Sequence, residues 1–260
     1  MEFRDRRVLV TGGTRGIGRA AVESFLAAGA TVAVNGRTAE SVAAALKELA
    51  AGERVIAAPG DTATAAGCKA VVDAAVAGLG GLDVLVNNAG SGGGGPVGDL
   101  DEALWDKVVD TNLKGTFFCT KYALPALRDG GGAIVNIASV RAVMGAAGAS
   151  IYCASKGGVV SMTKAMAIEF APEIRVNALL PGAIDTDMLQ SLAIRMGDDV
   201  ETGYGMMSAH TPLKRVARAQ EMADVILYLA SPRATYITGA ALLADGGMAA
   251  GSANLDQKAS

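Results

Sequence analysis

Short apolar runs alternate with longer segments of helical periodicity along most of the chain. The runs occupy residues 8–10, 31–34, 55–58, 84–86, 133–137 and 175–179, and helical segments at 17–28, 39–50 and 65–77 separate the first four. Long helical stretches at 113–127 and 150–170 precede the last two runs. Because the runs are continuous in Val, Ile and Leu, they are typical of strands buried on both faces. This alternation predicts a parallel sheet with right-handed crossovers.

The composition bounds the size and class of the protein. The 260 residues are 51% hydrophobic, enough to bury a large core, and no shift in composition marks a linker, so we expect one domain. The net charge of −3 gives no general argument for nucleic acid or an anionic membrane as a partner. No apolar run approaches the ~18 to 20 residues of a membrane-spanning helix, and residues 1–5 do not begin a signal peptide.

Cysteine and histidine usage narrows the chemistry further. Cys68, Cys119 and Cys153 are odd in number and far apart in sequence, so they predict neither a zinc site nor a disulfide framework. This usage fits a reducing, cytoplasmic location, with the cysteines as small buried apolar residues. His210 is the one histidine, which excludes a multi-histidine metal site. We expect His210 to be a surface or capping residue.

A glycine-rich segment follows the first predicted strand and opens the first predicted helix. Residues 11–18 read TGGTRGIG, with the spacing G-x-x-x-G-x-G. Glycines let a backbone approach a pyrophosphate closely, and the helix N-terminus offers free N–H groups. A tight glycine turn without a ligand is the alternative, but the position in the first strand-to-helix turn favours a nucleotide site.

The end of the second predicted strand bears on the choice of coenzyme. NAD-selective sites usually place an acidic residue there for the ribose 2′-hydroxyl, whereas residues 34–38 read VNGRT. Arg15 and Arg37 together suit a 2′-phosphate, because a guanidinium offers a planar fork of donors. The pattern favours NADP(H) as the coenzyme and leaves NAD(H) possible. The alternative is that Arg15 and Arg37 are solvated surface residues that bind no phosphate.

Tyr152 and Lys156 stand four residues apart on a predicted helix, and therefore on one face of it. A nearby ammonium favours the phenolate and lowers the pKa of a tyrosine, which then exchanges a proton with an alcohol or carbonyl oxygen. Taken alone the spacing is weak, because tyrosine–lysine pairs of this kind are common on exposed helices.

Several motifs together give the chain a clear family resemblance. Two of these motifs are residues 11–18 and the Tyr152–Lys156 pair. The others are NNAG at 87–90, Asn112 in TNLKG, Ser139 after the fifth strand, and Pro181–Gly182 with Thr186. In this order and at these intervals, the chain resembles the short-chain dehydrogenase/reductase family over nearly its whole length, and most of all its 3-oxoacyl-[acyl-carrier-protein] reductases and related ketoreductases. The resemblance implies a single-domain, doubly wound Rossmann-type α/β fold with about seven mostly parallel strands.

The resemblance also assigns roles to residues. It implies that Tyr152 is the general acid/base, that Lys156 lowers its pKa and holds the nicotinamide ribose, that Ser139 binds the substrate oxygen, and that Asn112 anchors a proton relay. The structural alternative for Ser139 is a turn serine at the end of a strand. For Asn112 it is an asparagine that bends or caps a helix. The coenzyme contacts that it implies are Gly12, Thr14, Arg15, Gly16, Ile17, Gly18, Asn35, Arg37, Asp61, Thr62, Asn88, Ala89, Gly90, Tyr152, Lys156, Pro181, Gly182, Ile184 and Thr186.

The expected reaction is NADP(H)-dependent interconversion of a ketone and a secondary alcohol. The substrate stays open between a 3-oxoacyl group and a small or cyclic carbonyl compound, because Gly130–Ala133 and residues 170–174 lack the basic residues expected to dock an acidic acyl carrier protein. The alternatives are a non-redox member of the fold, such as a dehydratase-like or dehalogenating enzyme, a coenzyme-binding regulator without turnover, and an NAD-preferring alcohol dehydrogenase.

The remaining expectations concern organisation. Residues 1–248 form the predicted domain, a lid spans about 183–215, and 249–260 form a tail. Met188, Met196, Met206 and Met207 serve either as an adaptable apolar lid or as helix packing. By the resemblance, the helices at 113–127 and 150–170 pair between subunits of a homotetramer or homodimer, with Phe117, Phe118 and Met162 as contacts or as core residues.

Overall fold

The computed structural model describes residues 2–209 and 211–251. Within them, seven parallel strands form one sheet in the order β3-β2-β1-β4-β5-β6-β9. The strands are Arg7–Val10 (β1), Thr31–Val34 (β2), Val55–Ala57 (β3), Val84–Asn87 (β4), Ala133–Ile137 (β5), Arg175–Pro181 (β6) and Ala241–Ala244 (β9). The predicted α/β fold with its seven-stranded parallel sheet is confirmed.

Helices cover both faces of the sheet. They are Gly16–Ala27 (α1), Ala39–Leu49 (α2), Ala65–Leu79 (α3), Glu102–Val109 (α4), Gly115–Gly130 (α5), Ser150–Phe170 (α6), Asp187–Gly197 (α7), Val200–Ala209 (α8) and Ala219–Ala230 (α9). Adjacent β1 residues enter different cores: Val8 and Val10 pack with α1 and α9, whereas Leu9 packs on the α3, α5 and α6 side. All three are fully buried, as the continuous apolar runs predict.

The strand order reverses between β1 and β4, and this places the site. Val8 pairs with Val32 of β2 on one side and with Val84 of β4 on the other. In such a sheet a crevice opens at the carboxyl ends of the strands where the order reverses. The segments that follow β1, β4, β5 and β6 carry most of the predicted site residues.

Predicted bounds differ from the structure where packing extends or interrupts an element. Strand β6 runs to Pro181 rather than ending at residue 179, because its end pairs with β9. The helix predicted at 113–127 instead follows a π-helical turn, Asp110–Lys114, and begins at Gly115. A second, two-stranded sheet of Ile184–Asp185 (β7) and Ala217–Arg218 (β8) is new, and its strands are too short for a periodic signal.

The predicted lid region contains α7 and α8, which follow β7. Met188, Met196 and Met206 are 46–48% exposed, and Met207 is half-buried, so these methionines lie at the surface of the lid rather than in the main core. Among the described residues, no helix has the length and apolarity needed to cross a bilayer. The predictions for His210 and for the tail beyond Gly251 lie outside the described residues.

Candidate active site

The glycine turn is held against the end of β4 by side-chain hydrogen bonds. The Thr11 hydroxyl accepts from the backbone N–H groups of Asn88 (2.9 Å) and Ala89 (3.0 Å). The Asn88 amide in turn donates to the carbonyl oxygens of Thr11 and Gly12, at 3.0 Å each. These bonds fix the turn, and they place Asn88 as a brace of the predicted coenzyme site.

The glycines of the turn are required by close backbone contacts. A Cβ on Gly18 would collide with the Gly12 carbonyl oxygen and the Asn88 amide, and a Cβ on Gly12 would lie 2.9 Å from the Ala89 Cα. Gly12 and Gly16 also have φ values of +61° and +55°, which glycine adopts without strain. The turn therefore exposes backbone at the N-terminus of α1, where Ile17 is half-buried, as a pyrophosphate site needs.

The second strand ends beside this turn. The Asn35 amide oxygen accepts from the Gly12 N–H (3.1 Å), and its nitrogen donates to the carbonyl oxygens of Ala58 (2.9 Å) and Gly60 (3.1 Å). The buried Asn35 side chain thus ties three segments together. Its polar atoms are occupied by hydrogen bonds within the protein, and a coenzyme contact at Asn35 stays a prediction.

Arg15 and Arg37 come from touching segments. A Cβ on Gly36 would lie 2.7 Å from the Thr14 methyl group, so the residues before each arginine are packed together. Both arginine side chains are exposed at the mouth of the cleft. Arg15 makes an ion pair with Asp187 of α7, with 3.4 Å between Nη1 and Oδ2. We refer to Arg15, Arg37 and Asp187 as the coenzyme rim.

The other predicted coenzyme residues line the same end of the sheet. Asp61 is exposed and accepts a bond from the Ala63 N–H (3.0 Å), an ordinary turn contact, while Thr62 beside it is buried. Thr186 caps α7, and its methyl group lies 3.1 Å from where a Cβ on Gly16 would be. The remaining predicted residues lie nearby in the chain. Pro181 and Gly182 are at the end of β6, and the buried Ile184 is in β7.

Tyr152 and Lys156 lie on the first turns of α6, as predicted. Lys156 is 4% exposed, and its Nζ donates to the Ile137 carbonyl oxygen at the end of β5 (2.8 Å). That nitrogen lies 5.9 Å from the centroid of the Tyr152 ring. A Cβ on Gly90 would stand 3.6 Å from it, so the NNAG segment passes directly over the lysine.

The pKa values of this pair differ from the prediction. Burial lowers the pKa of Lys156 to about 8. Burial also raises the pKa of Tyr152 above its usual value, although hydrogen bonding with Ser139 and the charge of Arg141 act in the opposite direction. The pKa of Tyr152 is thus raised where the sequence predicts that it is lowered, because desolvation of the phenol outweighs the effects of Ser139 and Arg141.

Asn112 is buried in the π-helical turn between α4 and α5. Its amide nitrogen donates to the Ser91 carbonyl oxygen and to the Ser155 hydroxyl, at 3.0 Å each, and its oxygen accepts from the Ser91 N–H (2.7 Å). The Ser155 hydroxyl also donates to the Tyr152 carbonyl oxygen (2.8 Å). A chain of hydrogen bonds thus joins Asn112 to the backbone of the tyrosine.

Ser139 follows β5 and is 8% exposed. Its hydroxyl accepts from the Arg141 N–H (3.2 Å) and contributes to the hydrogen bonding of the Tyr152 phenol. We call Asn112, Ser139, Tyr152 and Lys156 the catalytic centre, although their catalytic roles are predictions from the sequence. The structure brings these four predicted residues together from three separate segments at the carboxyl end of the sheet.

Several residues that position this centre have no role assigned from the sequence. Ser91, Ser155 and Thr11 make the bonds described above. Deeper in the sheet, the Asn87 amide donates to Thr120 (3.0 Å) and to Asn136 (2.9 Å) of the neighbouring strand. Polar residues inside apolar strands are the signal that would have found Asn87 and Asn136, because a buried amide needs partners.

Comparison with known proteins places the chain in a family. Residues 12–249 match the family model described as enoyl-(acyl carrier protein) reductase. The chain is 38% identical to cis-4-hydroxycyclohexanecarboxylate dehydrogenase of Sinomonas cyclohexanicum, over 95% of this chain and 98% of the relative. It is also 38% identical to the 3-oxoacyl-[acyl-carrier-protein] reductase FabG of Staphylococcus aureus, over 94% and 98%.

Solved structures give the same result. A blue fluorescent protein from a metagenomic library, crystallised in complex with NADPH, superimposes with a TM-score of 0.87 at 34% identity, covering 96% of this chain and 100% of that one. The chain therefore belongs to the short-chain dehydrogenase/reductase family. It is an oxidoreductase of that family, whose members use a nicotinamide coenzyme, and the predicted family and enzyme class are confirmed.

Proposed function

We propose that this protein interconverts a ketone and a secondary alcohol with NADP(H). The convergence of Ser139 and Tyr152 beside the buried Lys156 is the observation that carries the proposal. The Ser139 and Tyr152 side chains interact, so their two hydroxyl groups can bind one carbon–oxygen group, and the glycine turn for a coenzyme lies at the same end of the sheet. The family assignment and the intact turn support a redox reaction over the non-redox and regulatory alternatives.

In the proposed reaction each residue of the catalytic centre has its own role. A bound nicotinamide coenzyme supplies or accepts the hydride. Ser139 holds the substrate oxygen by a hydrogen bond, and Tyr152 gives that oxygen a proton during reduction or takes it during oxidation. The raised pKa of Tyr152 keeps the phenol protonated at neutral pH, which is the state that reduction needs. Lys156 holds the ribose side of the site, and Asn112 supports a proton relay.

Three observations support NADP(H) as the preferred coenzyme. The segment that follows β2 contains Arg37 where NAD-selective sites have an acid. Arg15 and Arg37 are exposed on touching segments, so both side chains can reach a 2′-phosphate between them. The similar structure with NADPH is consistent with this choice.

The surface of the lid supports a small or cyclic carbonyl substrate. The Met188 sulfur would lie 3.5 Å from a Cβ on Gly92, so the lid faces the glycine-rich loop after β4 across a narrow space. Methionine adapts to apolar ligands of varied shape. One similar relative is named for a hydroxycyclohexanecarboxylate, whereas the acyl carrier protein in the other names would need a basic docking surface for which this chain lacks the expected residues.

Steady-state kinetics with matched variants test the reaction. Oxidation of NADPH is followed with cyclohexanone derivatives and with a 3-oxoacyl thioester, for the wild type, Tyr152→Phe and Tyr236→Phe. We expect Tyr152→Phe to bind NADPH normally and to lose at least about 10²-fold in kcat, the typical contribution of a general acid. Tyr236 is fully exposed, so its variant should match the wild type. Near-normal turnover by Tyr152→Phe would refute the role given to the tyrosine.

The assembly and location are proposed on narrower grounds. Phe117 on α5 and Ile168 on α6 are 43% and 83% exposed, so these helices present apolar side chains suited to pairing in a homodimer or homotetramer. Light scattering of the wild type and of Ile168→Glu tests this, since a monomeric wild type would contradict it. Cys68, Cys119 and Cys153 are free thiols, which supports a cytoplasmic location.

A further inference from the structure

The two residues that flank Arg15 pack against different parts of the predicted coenzyme site. The residue before it, Thr14, packs against Gly36 and therefore lies on the Arg37 side of the cleft. The residue after it, Gly16, packs against Thr186 and therefore lies on the lid side. The Arg15 side chain is 73% exposed, so solvent rather than packing surrounds most of it. From this position it can turn toward the end of β2 or toward the start of α7.

In the structure, Arg15 turns toward the lid. Its Nη1 lies 3.4 Å from Oδ2 of Asp187, the first residue of α7. The carboxylate is 66% exposed and has the α7 N-terminus as its other favourable neighbour. A pair as open as this one is weak and screened by salt, so a better partner displaces it readily.

The start of the lid is nevertheless held in place. Asp185 accepts hydrogen bonds from the Tyr204 hydroxyl of α8 (2.6 Å) and from the Gln190 amide of α7 (3.0 Å). Thr186 caps α7 through its hydroxyl. Asp187 follows directly, so its carboxylate stays within reach of Arg15 while the arginine itself has room to move.

Arg37 provides the contrast within the coenzyme rim. No described carboxylate forms an ion pair with it, whereas Arg15 already has one. A 2′-phosphate that binds at the end of β2 can therefore pair with Arg37 directly. Arg15 must first break its ion pair with Asp187.

We propose that Asp187 limits the preference for NADP(H) by competing with the coenzyme 2′-phosphate for Arg15. NADH and NAD⁺ have no 2′-phosphate, so their binding does not require Arg15 to leave Asp187. Asp187 thereby tunes coenzyme selectivity from the start of the lid, directly after the cap Thr186. This inference rests on the proposed function, because it assumes that the phosphate lies between Arg15 and Arg37.

Equilibrium titration of the intact enzyme with NADPH and with NADH, without substrate, tests the competition. The variants are Asp187→Asn, Arg15→Gln, their double variant and Arg37→Gln. Asp73→Asn is the matched control, because it removes one carboxylate from another exposed ion pair, with Lys69 on α3. We expect Asp187→Asn to tighten NADPH binding by about two- to fivefold and to leave NADH binding unchanged, in line with the strength of exposed ion pairs. The control should change neither.

The double variant separates competition from a general effect of charge. If Asp187 acts through Arg15, Asp187→Asn has no further effect on NADPH in the Arg15→Gln background. The proposal is overturned if Asp187→Asn leaves the NADPH affinity unchanged or raises the affinities for NADPH and NADH equally. It is also overturned if Asp187→Asn keeps its full effect on NADPH affinity in the Arg15→Gln background. The Arg37→Gln arm tests the proposed function separately: loss of NADPH affinity there is expected, and its absence would refute the role of Arg37 alone.

Discussion

The catalytic centre is mostly buried and held by hydrogen bonds, whereas the side chains of the coenzyme rim are exposed and only Arg15 and Asp187 are joined, by one open ion pair. Lys156 and Asn112 are 4% and 1% exposed and each makes bonds shorter than 3.1 Å, while the Arg15 and Asp187 side chains are 73% and 66% exposed. Buried polar groups lose much when a partner is removed, and exposed pairs lose little. Substitutions in the first region should therefore stop the reaction, and those in the second should adjust selectivity.

The glycine turn belongs to the packed part of the molecule, and it should show the largest effect. An added methyl group in Gly18→Ala meets the Gly12 carbonyl oxygen and the Asn88 amide. We expect a loss of about 1–3 kcal/mol in unfolding free energy from overpacking, together with loss of NADPH binding. Thermal unfolding and NADPH titration measure both. Gly98→Ala is the control, since no atom lies within 4 Å of its added Cβ; equal behaviour of the two variants would contradict the close packing of the turn.

Lys156 should make stability depend on pH. Its pKa falls from 10.5 to about 8 on burial, so the unfolded chain binds more protons between these values and the stability contribution of this group rises with pH. Relative to the wild type, Lys156→Met should gain up to about 3 kcal/mol of unfolding free energy below pH 8, and this gain should shrink by pH 10. Urea titrations at pH 7 and pH 10 measure the difference.

The exposed Lys164 on the same helix supplies the control for that experiment. Lys164→Met should show no such change between the two pH values. A gain for Lys156→Met that is the same at pH 7 and at pH 10 would mean that the ammonium is not destabilised by burial.

Ser155 tests whether the catalytic centre depends on its supporting bonds. Ser155→Ala removes one acceptor of the Asn112 amide and one donor to the Tyr152 carbonyl oxygen. We expect kcat to fall about tenfold with KM nearly constant, because each such bond contributes about 1 kcal/mol. The exposed Ser161 on α6 provides the control variant, Ser161→Ala. A change in KM alone would place Ser155 in substrate binding instead.

The lid should show the smallest effect. Tyr204→Phe removes the hydrogen bond to Asp185 and leaves the bond from Gln190. The pKa of Tyr204 is raised to about 12 by desolvation and by Asp185, so the phenol is a donor throughout the working pH range. We expect a two- to fivefold rise in the KM of the carbonyl substrate, about 0.5–1 kcal/mol, with kcat unchanged. Steady-state kinetics beside Tyr236→Phe test this, and a large loss of kcat would make the lid part of the catalytic centre.

The same contrast explains which predictions succeeded. The strands were predictable because buried parallel strands require continuous apolar runs, and β5 begins and ends where its run does. The four residues of the catalytic centre could be picked out because their motifs keep their order and spacing along the chain, and their catalytic roles stay predictions. The pKa of Tyr152 was not predictable, because desolvation depends on everything that packs around the phenol.

By itself, the sequence determined the fold class and the family, since both depend on residue type and spacing. Only the tertiary structure decided that Asn35 and Asn88 brace the glycine turn, that Ser155 links Asn112 to Tyr152, and that Asp187 reaches Arg15. The members of the last pair are 172 positions apart along the chain. Hydrogen bonds and charges act through space over a few ångströms, so partners this far apart in sequence become known only when the chain is folded.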